Sequence, residues 1–477
     1  MKEEELRKKI DELEINEFTN LVEVSSDFNS LFASNYLADS SLSAEQPPKF
    51  KAAKKFLYNS EQNRERPVIF GSQHSRTFGV TDIEGGYPQE SGKISYPEKS
   101  KLIEYLTELL NQEYKDVEIQ SIKRQETTRV PISIITFTHE PGPQLERVYV
   151  KDYKGREDIR KKDIMIPIFL AELGLPTAKV IGYDYKNGEF TNRFAFLTEP
   201  TNNSVDCVYL SNVGRNVYTN TMPELNPKML IRCGESIINL MVMMQMYATS
   251  NLDKLKEKYN LELGSASTEN LINERLLVYL NLEEKNEILK SDFKEAYLKL
   301  DYMQTNKKGY FCHGDFTPNN IIVGRNLNDY FLIDWELSRK DASILEDIAM
   351  FSTTTLGARQ DRKDIVDLIR GSYIDYFLKD YNELAEVKLN EKDFNKDFKS
   401  EELRSLLYKI GDQIWTQERF GESDARKYKA QWYLSRFFDI INGSKEPVLT
   451  ELKKETLNLF KESKNVDYLQ SVVKSQD

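Results

Sequence analysis

Cysteine and histidine are scarce in this sequence. Its 477 residues include only three of each. The cysteines, Cys207, Cys233 and Cys312, are far apart and have no paired spacing, which excludes a disulfide framework and gives no indication of a zinc site. We therefore expect the protein in a reducing compartment, the cytoplasm.

Positive charge is in deficit, because 66 Lys and Arg residues face 77 Asp and Glu, a formal net charge of -11. A nucleic-acid binder needs a concentrated basic surface, so we predict no nucleic-acid partner. Long apolar runs are also missing: the most apolar stretch, 237–248, is far shorter than the roughly 20 residues that span a bilayer. The charged N-terminus does not resemble a secretory signal, so we predict no membrane partner. No Gly-X-X-X-X-Gly-Lys-Ser/Thr sequence is present, which excludes a P-loop NTPase.

The chain divides by pattern into three segments. Residues 1–95 are dense in turn-forming residues and are predicted to form a partly ordered N-terminal extension. Residues 201–477 are mainly helical by periodicity and are predicted to form a large helical lobe. Between them, 96–200 is predicted to form a small lobe with a helical run that continues to 173. Its predicted strands are 117–124, 132–138, 147–153, 178–185 and 193–198.

The strongest chemical signal lies between residues 311 and 336. A His-Gly-Asp tripeptide ends in Asp315, Asn320 follows five positions later, and an apolar run at 331–333 leads into Asp334. A loop, a strand, a turn and a returning strand can bring such residues to one edge. Transfer of a phosphoryl group to a hydroxyl needs a carboxylate that orients the hydroxyl and oxygen ligands that hold Mg²⁺ against the phosphates. The sequence therefore predicts phosphoryl transfer.

This motif resembles the signature of the aminoglycoside phosphotransferase and choline kinase superfamily. The resemblance implies an α+β, bilobal, protein-kinase-like fold, with a small antiparallel β lobe that binds ATP and a large helical lobe that carries the acceptor site. It implies that Asp315 is the catalytic base or orienting carboxylate, and that Asn320 and Asp334 hold Mg²⁺. Asn319 is the alternative for the asparagine role, although the family spacing favours Asn320.

Three further residues accompany the motif. Glu336 lies two positions after Asp334, so in an extended segment both side chains would face one side. It is either a second metal ligand or a solvated acid. Asp347 matches an Asp-Leu-Ala element of the family and is expected to brace the catalytic loop. His313 is expected to hydrogen-bond the loop backbone.

Nucleotide contacts are expected in the small lobe. By resemblance, Lys151 faces the phosphates and pairs with an acid on the following helix. Asp163 has the expected spacing and Glu157 is the alternative. Pro167 is expected to interrupt that helix because proline lacks a backbone donor.

The adenine and the phosphates have further predicted contacts. Thr198 and Glu199 lie in a predicted hinge that binds adenine through its backbone. The turn at 125–129, which would cover the phosphates, contains no glycine and departs from the usual phosphate-binding pattern.

These observations predict an ATP- and Mg²⁺-dependent phosphotransferase. The acceptor is a hydroxyl of a small molecule, such as a sugar, an amino alcohol or an aminoglycoside-like compound. Trp335, Trp415 and Trp432 are candidates for acceptor contacts, but core packing is the preferred interpretation. We expect that Asp315→Ala or Asp334→Ala abolishes turnover with little loss of folding.

Two alternatives remain open. The glycine-free turn suggests a catalytically silent nucleotide-binding or scaffold protein. A protein kinase is disfavoured, because the His-Arg-Asp, Asp-Phe-Gly and Ala-Pro-Glu elements are absent.

Overall fold

The computed structural model describes most of the chain from Lys115 onward and a few earlier residues. The described residues are 80–82, 107, 111, 115–125, 132–140, 142–153, 157–177, 179–182, 185–186, 189–190, 194–198, 208–209, 227–264, 276–278, 280, 287–304, 309–323, 330–356, 363–385, 387–421, 424–463 and 466–476. The predicted turn at 125–129 lies outside them except for its first residue, and so does most of the predicted N-terminal extension.

Strands and helices follow the predicted order of a β-rich part and a helical part. The strands are β1 (Val80–Asp82), β2 (Lys115–Gln125), β3 (Ile132–Glu140), β4 (Gly142–Asp152), β5 (Lys179–Gly182), β6 (Tyr185–Lys186), β7 (Glu189–Phe190), β8 (Phe194–Thr198), β9 (Val208–Tyr209), β10 (Tyr310–Cys312), β11 (Ile321–Val323), β12 (Tyr330–Leu332) and β13 (Arg339–Ala342). The helices are α1 (Glu157–Glu172), α2 (Pro227–Thr249), α3 (Leu252–Tyr259), α4 (Glu287–Leu298), α5 (Glu346–Leu356), α6 (Lys363–Leu384), α7 (Glu391–Phe420), α8 (Asp424–Asn442), α9 (Pro447–Lys461) and α10 (Gln470–Lys474). The predicted α+β class is confirmed.

The chain forms two compact units. The helical unit contains residues 263–317 and 339–477, and the sheet unit contains the described residues from Val80 to Glu262 together with 318–338. In the helical unit α7 packs against α5 and α8, and α4 packs against α9. The boundaries predicted for the extension and the two lobes stay predictions.

The sheet unit is built on a six-stranded sheet with the order β1-β2-β3-β4-β8-β5. Every neighbouring pair in it is antiparallel. The three central β-rich runs predicted from the sequence correspond to β2, β3 and β4. β1 lies within the segment predicted as an extension, yet it pairs with β2 in this sheet.

Helix α1 contradicts the expectation that Pro167 interrupts it. The helix continues from Glu157 to Glu172 with Pro167 inside. Its apolar side chains are almost completely buried: Ile164, Met165, Ile166, Phe169 and Leu170. Because tertiary burial supplies most of the stability of such a helix, the loss of one backbone donor does not end it. Thr177 Oγ1 also donates to the carbonyl of Pro167 at 3.2 Å.

Within the described part of the chain, each helix falls short of the length and apolar character that crossing a bilayer would require.

Candidate active site

The His-Gly-Asp loop begins where β10 ends, in the helical unit. Gly314 has φ 79°, a left-handed conformation that glycine adopts without the steric cost of a Cβ. His313 is buried, and its Nδ1 accepts a hydrogen bond from the Asp315 backbone N–H at 3.4 Å. The expected bond from His313 to the loop backbone is therefore present.

Asp347 braces this loop from the first turn of α5. Its Oδ2 accepts from the His313 N–H at 2.9 Å and its Oδ1 accepts from the Gly314 N–H at 3.0 Å. Complete burial raises the pKa of Asp347, while His313 and the two backbone donors oppose that rise. The bracing contact expected from the sequence is thus found in the structure.

Asp315 forms an ion pair that the sequence analysis missed. Lys409 on α7 places its Nζ 2.9 Å from Asp315 Oδ1, and the lysine side chain is only 9% exposed. The two residues are 94 positions apart, so no local pattern links them. A signal was nevertheless available, because a lysine beside the buried residues Leu406, Leu407 and Ile410 is unusual without a partner.

The surroundings of Lys409 keep it charged. Burial by itself would lower the pKa of Lys409, but the negative charges of Asp315 and Asp412 raise it above its ordinary range. The Tyr408 ring lies 5.1 Å from the ammonium. Burial also raises the pKa of the neighbouring Tyr433 to about 12, so this hydroxyl stays protonated at neutral pH.

In the sheet unit, Lys151 joins two acids. Lys151 Nζ lies 2.6 Å from Asp163 Oδ2 and 3.0 Å from Asp334 Oδ1. The sequence offered Asp163 and Glu157 as the helix acid that pairs with Lys151. Asp163 makes the contact, and the structure does not describe the side chain of Glu157. Burial alone would lower the pKa of Lys151, but the two carboxylates raise it well above its ordinary value. A lysine has three donors, so one remains for a further acceptor such as a phosphate oxygen.

Asp163 connects three different elements of the sheet unit. Its Oδ2 also accepts from the Tyr153 hydroxyl at 2.9 Å, and its Oδ1 accepts from the Trp335 backbone N–H at 2.9 Å. The carboxylate is 2% exposed. Asp163 on α1 therefore holds both Lys151 of β4 and the backbone that follows β12.

Replacement of Asp163 by alanine is expected to destabilise the protein by about 3–5 kcal/mol, because a buried lysine, hydroxyl and amide lose a shared acceptor. Chemical denaturation measures this loss. Asp292, an exposed aspartate on α4, is the matched control, and Asp292→Ala should change the free energy of unfolding by less than about 1 kcal/mol. Equal stability of the two variants would contradict the connecting role of Asp163.

The hairpin of β11 and β12 positions Asn320 and Asp334. Ile321 pairs with Leu332, and the Ile333 N–H donates to the Asn320 carbonyl at 3.1 Å. Asn320 is buried, whereas the competing Asn319 is exposed. The Asp334 side chain is 38% exposed and its φ is 68°, a conformation that aspartate tolerates better than most residues.

Asn320 and Asp334 fit a Mg²⁺ site in which nucleotide phosphates supply the remaining ligands. Among the described residues, no cluster of three or more His, Cys, Asp and Glu side chains is arranged to hold a metal. Mg²⁺ does not need one, because it commonly uses one or two carboxylates together with phosphate oxygens and water. The partly exposed Asp334 carboxylate and an amide oxygen of Asn320 match that donor set.

The structure changes one argument about the segment after Asp334 and agrees with the preferred interpretation of its tryptophan. Glu336 lies in a turn and Asp334 has a positive φ, so the argument from an extended segment does not hold. Its role as a metal ligand stays a prediction without that support. Trp335 is 1% exposed and cannot stack on an acceptor. Trp415 and Trp432 are also buried, in agreement with the core interpretation.

The predicted adenine hinge is described only in part. Thr198 ends β8, where it pairs with Lys179 of β5, and Glu199 lies outside the described residues. The backbone role of both residues stays a prediction.

Part of the chain matches a known protein family. Residues 168–387 match the model of the phosphotransferase enzyme family. A comparison with the curated proteins found no match.

Solved structures with similar chain paths include three kinase-related proteins. Choline kinase from Streptococcus pneumoniae is 15% identical, with 72% of this chain and 99% of that chain covered and a TM-score of 0.41. Plasmodium vivax ethanolamine kinase is 13% identical, with coverages of 87% and 99% and a TM-score of 0.47. A putative aminoglycoside phosphotransferase from Ralstonia eutropha is 13% identical, with coverages of 74% and 98% and a TM-score of 0.45. The match of residues 168–387 to the phosphotransferase enzyme family confirms the predicted resemblance.

Proposed function

We propose that the protein transfers the γ-phosphoryl group of ATP, with Mg²⁺, to a hydroxyl of a small molecule. The observation that carries this proposal is the pair of contacts from Lys151 to Asp163 and Asp334. A lysine held by a helix acid and a strand-end acid is the arrangement that phosphoryl transfer uses for nucleotide phosphates. In this proposal the fold is bilobal and protein-kinase-like, and the protein works in the cytoplasm.

Each residue has a proposed role. Lys151 binds phosphate oxygens, and Asp163 fixes the direction of its ammonium. Asp334 and Asn320, with Glu336 as a further candidate, hold Mg²⁺, which neutralises charge on the phosphates when bound. The backbone at Thr198 and Glu199 binds the adenine.

The reaction requires Asp315 at the acceptor. The acceptor oxygen forms a bond to the γ-phosphorus, the bond between that phosphorus and the β–γ bridging oxygen breaks, and ADP leaves. The hydroxyl proton passes to Asp315. Lys409 holds one carboxylate oxygen of Asp315 and so fixes the direction in which the carboxylate faces the acceptor hydroxyl.

A second candidate function is nucleotide binding without turnover. The ion pair between Lys409 and Asp315 favours this candidate, because a neighbouring positive charge makes the carboxylate a weaker proton acceptor. The acceptor in the first proposal is a sugar, an amino alcohol or an aminoglycoside-like compound, and a protein acceptor is the less favoured alternative.

Two measurements separate these functions. Mg²⁺-ATP at about 100 times its Kd is expected to stabilise the fold by about 2.7 kcal/mol, seen as a higher melting temperature. ADP release is then followed with a panel of small hydroxyl compounds and with a generic protein substrate. Release with a small acceptor supports the proposal, and stabilisation without release from any acceptor supports the silent alternative.

The variant that tests the nucleotide site is Lys151→Met, which keeps the length of the side chain and removes its charge. It is expected to abolish the stabilisation by Mg²⁺-ATP. If wild type shows no stabilisation, or the variant keeps it in full, the assigned nucleotide site is wrong.

A further inference from the structure

We propose that a cavity in the helical unit binds a small polyanion with two or more phosphate groups. The cavity lies among α6, α7 and α8 and has a volume of about 540 Å³. That size is typical of small-molecule sites. No residue that we assign to phosphoryl transfer lines it, so the proposal is independent of that function.

Two arginines on the cavity lining share one buried carboxylate. Arg370 Nε on α6 lies 2.8 Å from Glu402 Oε1, and Arg436 Nη2 on α8 lies 3.6 Å from the same oxygen. The Glu402 side chain is 4% exposed. Arg436 Nη1 also lies 3.2 Å from Asp367 Oδ1, so two carboxylates balance the two guanidinium groups, and the buried Glu402 fixes their positions.

Three lysines on α7 give the cavity lining its unbalanced positive charge. Lys392, Lys396 and Lys399 all line the cavity and follow one another by four and three positions, which places them on one helix face. Within the described part of the chain, none of the three has a hydrogen bond or ion pair. Other lysines of this unit are paired, such as Lys290 with Glu287 at 2.8 Å and Lys299 with Glu451 at 2.7 Å.

The spacing of the lysines indicates the class of ligand. The first and third are seven residues apart, which is about 10 Å along a helix. Three ammonium groups over that length match several phosphate groups better than one. The acids Asp393, Asp439 and Glu446 also line the cavity and, with the net charge of -11, disfavour a long polyanion such as nucleic acid.

The test uses inorganic phosphate and tripolyphosphate as probes on the full chain, without Mg²⁺ or acceptor and at constant ionic strength. Calorimetric titration is expected to give one saturable site for tripolyphosphate and weaker binding of phosphate. The triple variant K392Q/K396Q/K399Q is expected to weaken tripolyphosphate binding at least about tenfold. The charge-matched control K254Q/K256Q/K474Q, at exposed lysines outside the cavity, is expected to bind as wild type does.

A second variant tests the cavity without changing charge. Gly443 lines it, and a Cβ there would meet only ordinary contacts, the nearest being the Asp439 carbonyl at 3.5 Å. Gly443→Trp is expected to block tripolyphosphate while thermal melting remains close to that of wild type. The proposal is overturned if tripolyphosphate does not saturate, if the two lysine variants lose affinity equally, if Gly443→Trp folds and binds normally, or if only a long polyanion such as heparin binds.

Discussion

Replacement of Asp315 by asparagine is expected to lower kcat for acceptor phosphorylation by about 10²–10⁴-fold. The amide keeps the size of the side chain and an oxygen that can accept from Lys409, whose Nζ is 2.9 Å from Asp315 Oδ1. It cannot take the acceptor proton, which is the proposed role of the carboxylate. Steady-state ADP release measures the loss, and thermal melting measures whether the fold is retained.

Alanine at the same position is a different experiment. Asp315→Ala leaves the Lys409 ammonium, which is 9% exposed, without the carboxylate that it contacts. Because the Asp315 side chain is 23% exposed and Asp412 adds negative charge nearby, we expect a cost of about 1–3 kcal/mol. The contact with Lys409 therefore replaces the earlier expectation, made from the sequence, that Asp315→Ala causes little loss of folding.

A double variant tests whether the ion pair between Lys409 and Asp315 serves the reaction. Lys409→Met removes the charge and keeps the length of the side chain. Combined with Asp315→Asn, its effect on kcat should be far from additive, because the two side chains act as one unit. A wild-type kcat in Asp315→Asn would show that Asp315 takes no part in the reaction. Strictly additive effects of the two substitutions on kcat would show that Lys409 does not position Asp315.

Replacement of Asp334 by asparagine is expected to lower kcat by about 10³-fold, because the metal contributes several kcal/mol of charge stabilisation that a neutral amide cannot hold in place. Folding should change by less than about 1 kcal/mol. The Asp334 side chain is 38% exposed, and Lys151 keeps its contact with Asp163 at 2.6 Å. The Mg²⁺ concentration for half-maximal rate should rise together with the loss of kcat.

Asparagine is a better replacement for Asp334 than alanine because of the backbone conformation at this position. Asp334 has φ 68°, where asparagine is tolerated and alanine adds strain of about 1–2 kcal/mol. Asp341 is the matched control, because it is an exposed aspartate with φ 58°. Asp341→Asn should keep wild-type kcat and Mg²⁺ dependence. Equal kinetics in Asp334→Asn and Asp341→Asn would contradict the metal role of Asp334.

Local patterns predicted much of what lies near each motif. Alternating apolar residues located β2, β3 and β4, and the returning strand before Asp334 is found as β12. The same reasoning failed at Pro167 and Glu336. In both cases a local rule was overruled, at Pro167 by the burial of a whole helix and at Glu336 by the positive φ of the preceding aspartate.

The sequence by itself determined the resemblance to small-molecule phosphotransferases, the α+β class, and the candidate residues Asp315, Asn320 and Asp334, because these depend on residue types at short and fixed spacing. Only the tertiary structure decided which distant side chains meet them. Lys409 reaches Asp315 across 94 positions, and Lys151 reaches Asp334 across 183. Periodicity specifies the elements and their buried faces, but the packing of those faces selects the partners of a buried charge, and no local pattern records that choice.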